Sequence, residues 1–286
     1  MSFDEEGNLH EEPPWTDCNG NFDECSGYRD IDGHGTYCAG LVFQIAPEAD
    51  VFIAKVTPPN TREADPDVVA CAIHYATRAW KADIISMSLG FDCPDVALEV
   101  ALNEHPKTVV FAAAANHGTN GRSITFPASI PSVICVKSAN GDGTTSSFCP
   151  NTHLPNQISA LGEEVLSMWP VDETRGTMQR RCRGTSVSTP IAAAIAALVL
   201  DFVYTGCLSN KVMVPNMQNV VDDVKRFPRD RLLRLLQSDL FSNPDQSGAV
   251  RNVVPWLLLR DDLRVREGVH TQAARKIRDL LNPHGY

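Results

Sequence analysis

One segment constrains this chain more than any other. From Ser186 to about Tyr204 the sequence SVSTPIAAAIAALVLDFVY reads as a single long helix with no polar face. A helix that is apolar nearly all round has to be covered on every side, so the rest of the fold must bury it. Its most apolar run, Ile191 to Leu200, is closed by Asp201. That run is shorter than the roughly 20 residues needed to cross a bilayer.

Upstream, strand and helix patterns alternate. Val51–Val56 (VFIAKV) reads as a buried strand. Asp65-Pro66 reads as an N-cap followed by proline at the first helical position, and the helix it opens carries Val69, Ile73, Ala76 and Trp80 on one face. Ile84–Ser88, Val109–Ala113 and Val133–Lys137 read as further strands, with a short helix at Asp95–Glu104. The alternation predicts an α/β fold of three layers, a mainly parallel sheet with helices on both faces. In such sheets functional groups gather at the carboxyl ends of strands and the amino ends of helices.

Residues 205–286 differ in character. Helices are predicted at Val220–Lys225, Arg229–Leu240 and Thr271–Leu281, and Val253–Leu259 alone has a strand pattern. Leu232, Leu233, Leu236 and Leu240 form an apolar stripe, with Arg229, Arg231 and Arg234 off it. The chain therefore divides into residues 1–204, an α/β domain, and residues 205–286, a helical C-terminal extension. The stripe needs a partner surface, on this chain or on another protein.

Composition narrows the function classes. A net charge of -10 and the lack of a Lys/Arg-rich run argue against nucleic acid as a partner. The N-terminus, MSFDEEGNLHEEPPW, has no apolar core, so neither a signal peptide nor a membrane segment is expected. The nine cysteines show no zinc-type spacing. Their odd number favours reduced thiols and an intracellular compartment, and no metal ligands are identified.

Three motifs carry chemistry. In Asp32-Gly33-His34-Gly35-Thr36-Tyr37-Cys38-Ala39-Gly40 a histidine sits between glycines where a helix starts. That suits a general base, and it also suits a histidine in a turn. In Val109–Gly118 a buried strand ends in Asn116, whose amide can donate to an oxyanion or serve a turn. In Gly184-Thr185-Ser186-Val187-Ser188-Thr189-Pro190 a serine opens the buried helix, at the positive end of its dipole. It reads as a nucleophile or as a plain N-cap.

Together, in this order and approximate spacing, the motifs closely resemble the subtilisin-like serine proteases. The family pattern around its histidine, G-H-G-T-x-x-A-G, is met by Gly33–Gly40. The pattern around its serine, G-T-S-x-[AS]-[ST]-P, is met by Gly184–Pro190. The resemblance covers about residues 30–204 and extends to Ile84–Gly90 and Phe126–Val136. It implies that Ser186 is the nucleophile and His34 the general base, and that Asn116 and the Ser186 N–H hold the oxyanion. It also implies that Ser88, Leu89 and Gly90 pair with a polypeptide substrate as an added strand, and that Ala113, Ala114 and Ala115 wall the P1 pocket. Structural calcium would be consistent with it. Cys38 stands where the proteinase K-like branch also has a cysteine, under the imidazole.

Two departures stand out. Ala115 replaces the glycine usual before the oxyanion asparagine, which strains the backbone if φ there is positive. The family's triad aspartate follows an apolar strand, whereas Met1-Ser2-Phe3 is not read as a strand and Asp4 precedes Glu5-Glu6-Gly7. Asp4 lies 30 residues before His34 and is the candidate at a suitable distance, while Asp30 and Asp32 are too near. A chain starting just after the true aspartate is the other expectation, and it would be a very poor protease. Two functions follow: a serine endopeptidase acting through an acyl-enzyme on Ser186, or a catalytically impaired subtilase-like module of a larger intracellular regulatory protein, docked through residues 205–286.

Overall fold

A computed structural model describes residues 2–3, 9–10, 30, 32–57, 63–118, 123–170, 178–206, 216–239, 241–254 and 269–281. Two-residue strands β1 (Ser2–Phe3) and β2 (Leu9–His10) pair antiparallel, apart from the main sheet. Ser2–Phe3 is thus a strand, contrary to the sequence reading, although it pairs locally. Asp4 lies outside the described residues.

The main sheet joins β3 (Ile84–Met87), β4 (Val109–Ala113), β5 (Ile134–Ala139), β6 (Gln157–Leu161), β10 (Arg251–Val253) and β9 (Ser242–Pro244), in that order. Every neighbouring pair is parallel except the β9–β10 hairpin. Strand β4 is buried at all its positions because both faces are covered. Val109 and Phe111 look one way with Ile134, Val136 and Ile158. Val110 and Ala112 look the other way with Val133 and Cys135. Against the second face lie α2 (Pro66–Arg78) and α3 (Val96–Asn103). Each begins with a cap of the expected kind: Asp65 accepts from the Asp67 N–H and Asp95 from the Leu98 N–H, both at 2.9 Å.

The first face holds α1 (His34–Ile45) and α4 (Thr185–Asp201), which a π-helical turn, Phe202–Gly206, continues. By length and composition Thr185–Thr205 could cross a membrane, yet 72% of its most apolar window is buried inside the protein. Its outer side is covered by α5 (Met217–Arg226), α6 (Pro228–Leu236) and α7 (Val269–Leu281) through Val220, Val224, Leu232, Leu235, Leu236 and Ile277. The leucine stripe therefore finds its partner within this chain. Leu235 belongs to its fully buried part and Leu233 only borders it, and Leu240 lies outside the described residues. Helix α6 stops at Leu236, where the Gln237 side chain turns to donate to the Pro155 and Gln157 carbonyls, each at 2.9 Å.

The extension also supplies the β9–β10 hairpin, which extends the sheet beside β6; the strand expected at Val253–Leu259 meets it only at Val253, and residues 255–259 lie outside the described residues. A further hairpin, β7 (Val165–Met168) with β8 (Gln179–Cys182), packs on α1, where the Ser167 hydroxyl donates to the Tyr37 carbonyl at 2.8 Å.

Val51–Val56 departs from expectation. It pairs with no strand among the described residues, and Phe52 and Ile53 are 50% and 61% exposed. Phe52 stacks on Trp80 instead, ring centroids 5.1 Å apart. A strand needs a ladder partner, and among the described residues none lies beyond β3, which forms that edge of the sheet.

Candidate active site

The start of α4 is built around a glycine that no other residue could replace cheaply. Gly184 caps the helix at φ 142°. A β-carbon there would lie 3.2 Å from Asn116 Nδ2 and 3.3 Å from Ser186 Oγ. The amide and the hydroxyl therefore border one shared space. The orientation of Asn116 follows from its acceptor: Oδ1 takes the Thr185 N–H at 2.8 Å and the Thr185 hydroxyl at 3.2 Å. With Oδ1 occupied by donors, Nδ2 is the group left facing the serine.

Pro190 explains the other side of Ser186. Proline has no N–H, so the carbonyl four residues earlier loses its helical partner. That carbonyl belongs to Ser186. It accepts instead from the Ser88 hydroxyl at 2.8 Å and from the Cys38 thiol at 3.5 Å. The motif's proline thus frees an acceptor that ties the Ser186 backbone to the end of β3 and to α1. Gly162 lies beneath the same turn, its carbonyl accepting from the Gly184 N–H at 2.9 Å.

His34 is the first residue of α1, after Gly33 in the left-handed region at φ 85°. Glycine is required twice over at position 33, because a β-carbon would also lie 2.5 Å from the Trp169 ring. The helix start is held by Asp30, whose carboxylate accepts from the Gly33 N–H at 2.8 Å and the Thr36 N–H at 2.6 Å. Burial tends to raise the pKa of Asp30. The hydrogen bonds from Thr36 and Gly33 and the nearby His34 charge outweigh that and hold it below the usual carboxylate value. Asp30 thus serves α1 as a cap, a role the sequence reading did not give it.

Cys38 joins the two motifs. One turn after His34, its Sγ lies 3.9 Å from His34 Nε2 while donating to the Ser186 carbonyl. Burial pushes its pKa up to about 11, so at neutral pH it remains a thiol and a donor. The imidazole and the serine backbone touch the same sulfur atom, which is how the fold brings together residues 152 positions apart in sequence.

The six substrate-binding candidates form two neighbouring segments. Ser88, Leu89 and Gly90 leave β3, and Phe91 then bridges to Phe126 through hydrogen bonds of 2.7 and 2.9 Å. Ala113, Ala114 and Ala115 close β4 and are held by Thr125, whose N–H donates to the Ala114 carbonyl at 3.1 Å. A β-carbon on Gly90 would lie 2.5 Å from Thr125 Oγ1, so Thr125 touches both segments. The Ser88 side chain is engaged with Ser186, a role sequence reasoning missed. Gly162 was missed as well, since a glycine after a strand looks like an ordinary turn.

Ala115 adopts φ 116°, a conformation that L-residues rarely take. Ala115→Gly is expected to stabilise the fold by about 1 kcal/mol, the lower end of the cost of such backbone strain. The check is a higher urea midpoint with an unchanged slope. A lowered midpoint would show that the methyl group packs favourably enough to offset the strain.

The comparisons with known proteins point the same way. The sequence profile described as "Subtilase family" matches residues 4–222. The chain is 33% identical over 186 residues to an "Intracellular serine protease" from Paenibacillus polymyxa, covering 60% of this chain and 55% of that protein. It is 31% identical to the "Minor extracellular protease Epr" of Bacillus subtilis, covering 61% of this chain and 27% of that protein. It therefore spans about half the length, or less, of the curated relatives it matches. Among solved structures, that of the "Prenylagaramide maturation protease PagA" is similar at a TM-score of 0.62 and 25% identity, covering 80% of this chain and 82% of that one. With its histidine and serine motifs joined in one site and its fold matched, the chain belongs to the subtilase family of subtilisin-like serine proteases.

Proposed function

We propose that this chain hydrolyses peptide bonds in polypeptide substrates by acyl transfer to Ser186. In the first step Ser186 Oγ bonds to the scissile carbonyl carbon while His34 takes its proton. The oxyanion is held by Asn116 Nδ2 and the Ser186 N–H. Collapse breaks the C–N bond, and His34 returns the proton to the leaving amine. Water then attacks the acyl-enzyme by the same route and releases the acid. The carrying observation is the Asn116 amide, locked by Thr185 so that Nδ2 borders the space beside Ser186 Oγ.

The test is Asn116→Ala on a chromogenic peptide substrate. It should lower kcat by about 10²–10³ with little change in KM, because the amide acts mainly once the oxyanion forms. An unchanged kcat would remove Asn116 from the site. For the carboxylate that orients His34 we propose Asp4, where the family match begins. Asp4→Asn should then cost about 10⁴ in kcat, the effect of losing the correct imidazole tautomer. Full activity in that variant would assign the role elsewhere.

A further inference from the structure

We propose that His74, Glu104 and His105 form a binding site for a divalent transition-metal ion of the zinc class, bridging α2 and the end of α3. The site lies on the sheet face opposite α4. It is independent of the peptidase reading.

His74 is on α2, Glu104 caps the C-terminus of α3 and His105 follows it. His74 Nδ1 is 3.6 Å from Glu104 Oε2, and His105 Nε2 is 4.0 Å from the same oxygen. The three ligand atoms all lie within 4.8 Å of one another. The two imidazoles are nearly perpendicular, at 78°, with centroids 5.8 Å apart. His74 Nδ1 and His105 Nε2 are both shut off from solvent and make no hydrogen bond. Buried polar atoms are ordinarily satisfied, so two such nitrogens beside one carboxylate oxygen suit a cation shared by all three groups.

The chemistry suits zinc. Two histidines and a carboxylate are a common ligand set for it, with bonds of about 2.0–2.2 Å. At tetrahedral angles such bonds place ligand atoms about 3.4 Å apart. The separations of 3.6 and 4.0 Å are near that value and close by small side-chain rotations. A fourth position would be left for water. The opposing feature is Arg78, whose Nη2 donates to Glu104 Oε2 at 3.0 Å and whose positive charge disfavours a cation. Its side chain is 64% exposed, so it can swing into solvent or move to the other carboxylate oxygen.

The sequence carries no motif for this site, because His74 and the Glu104-His105 pair are 30 residues apart and meet only when α2 packs on α3. A bound ion would clamp these helices, which together cover one face of β3 and β4.

The experiment titrates the full-length chain with Co²⁺ and with Zn²⁺. Cobalt absorption reports tetrahedral coordination, and zinc binding is read by equilibrium dialysis and by the thermal midpoint. Wild type should show tetrahedral cobalt bands and a raised midpoint with zinc. His74→Gln with His105→Gln should lose one equivalent of bound metal, the bands and the midpoint shift. Arg78→Ala should bind the metal more tightly, an outcome that does not depend on how the histidine variant folds. Equal stoichiometry and affinity in wild type and the double variant, or no stronger binding in Arg78→Ala, would overturn the proposal.

Discussion

Replacing Ser186 by alanine is expected to lower kcat on a peptide substrate by about 10⁶-fold, the loss that follows removal of the nucleophile or its base in a subtilisin triad. KM should change little, because in the proposed mechanism the hydroxyl acts in bond making while the neighbouring segments 88–90 and 113–115 would hold the substrate. The fold should survive. Ser186 is anchored through its carbonyl, which accepts from Ser88 and Cys38, and alanine keeps that carbonyl. An unchanged circular dichroism spectrum and denaturation midpoint would confirm that the loss is chemical. Residual turnover well above the oxyanion-hole background would mean that another group supplies the nucleophile.

The second large effect is expected from Gly162→Ala, far from Ser186 in sequence but directly under its turn. A β-carbon at 162 would lie 2.0 Å from Ser188 Oγ, 2.4 Å from Ser138 Oγ and 2.9 Å from the Gly184 carbonyl. The backbone cannot retreat easily, because the Gly162 N–H donates to Ala139 and its carbonyl accepts from Gly184, both at 2.9 Å. Overpacking of this kind costs about 1–3 kcal/mol or more. A loss of that size lowers the thermal midpoint by several degrees in a chain of this length, at roughly 2–4 °C per kcal/mol. Activity should fall too, since the displaced turn carries the Ser186 N–H, the proposed oxyanion donor. Gly141→Ala is the control, with nothing within 4 Å of its β-carbon, and should be close to neutral. Equal midpoints for the two variants would show that the turn is not held from below.

Much of the site was legible in the sequence because its parts are local. A histidine after Gly33, a serine after Gly184 and an asparagine at the end of β4 are each placed by the few residues around them. What those residues rest on is tertiary. The Ser88 and Cys38 donors meet the Ser186 carbonyl only once β3, α1 and α4 are assembled, and Gly162 matters only because Gly184 lies above it. The fold shows the same division. Strand β4 is a continuous apolar run and was found, whereas β6 carries Gln157 and Ser159 inside the core. There Gln157 Nε2 donates to the Ala249 carbonyl and the Ser159 hydroxyl to Asn252 Oδ1, partners that come from the C-terminal hairpin. That hairpin was itself hidden, since SNP and RNV have no strand pattern of their own. Val51–Val56 shows the converse. An apolar run predicts a strand, but pairing decides whether one forms.

The most direct test of the account is labelling of the intact chain with a fluorophosphonate probe, followed by proteolytic digestion and mass mapping of the modified residue. The predicted result is a single adduct on Ser186, absent in Ser186→Ala and formed more slowly in His34→Ala and Asn116→Ala. An adduct on a different residue, or labelling that persists in Ser186→Ala, would contradict it.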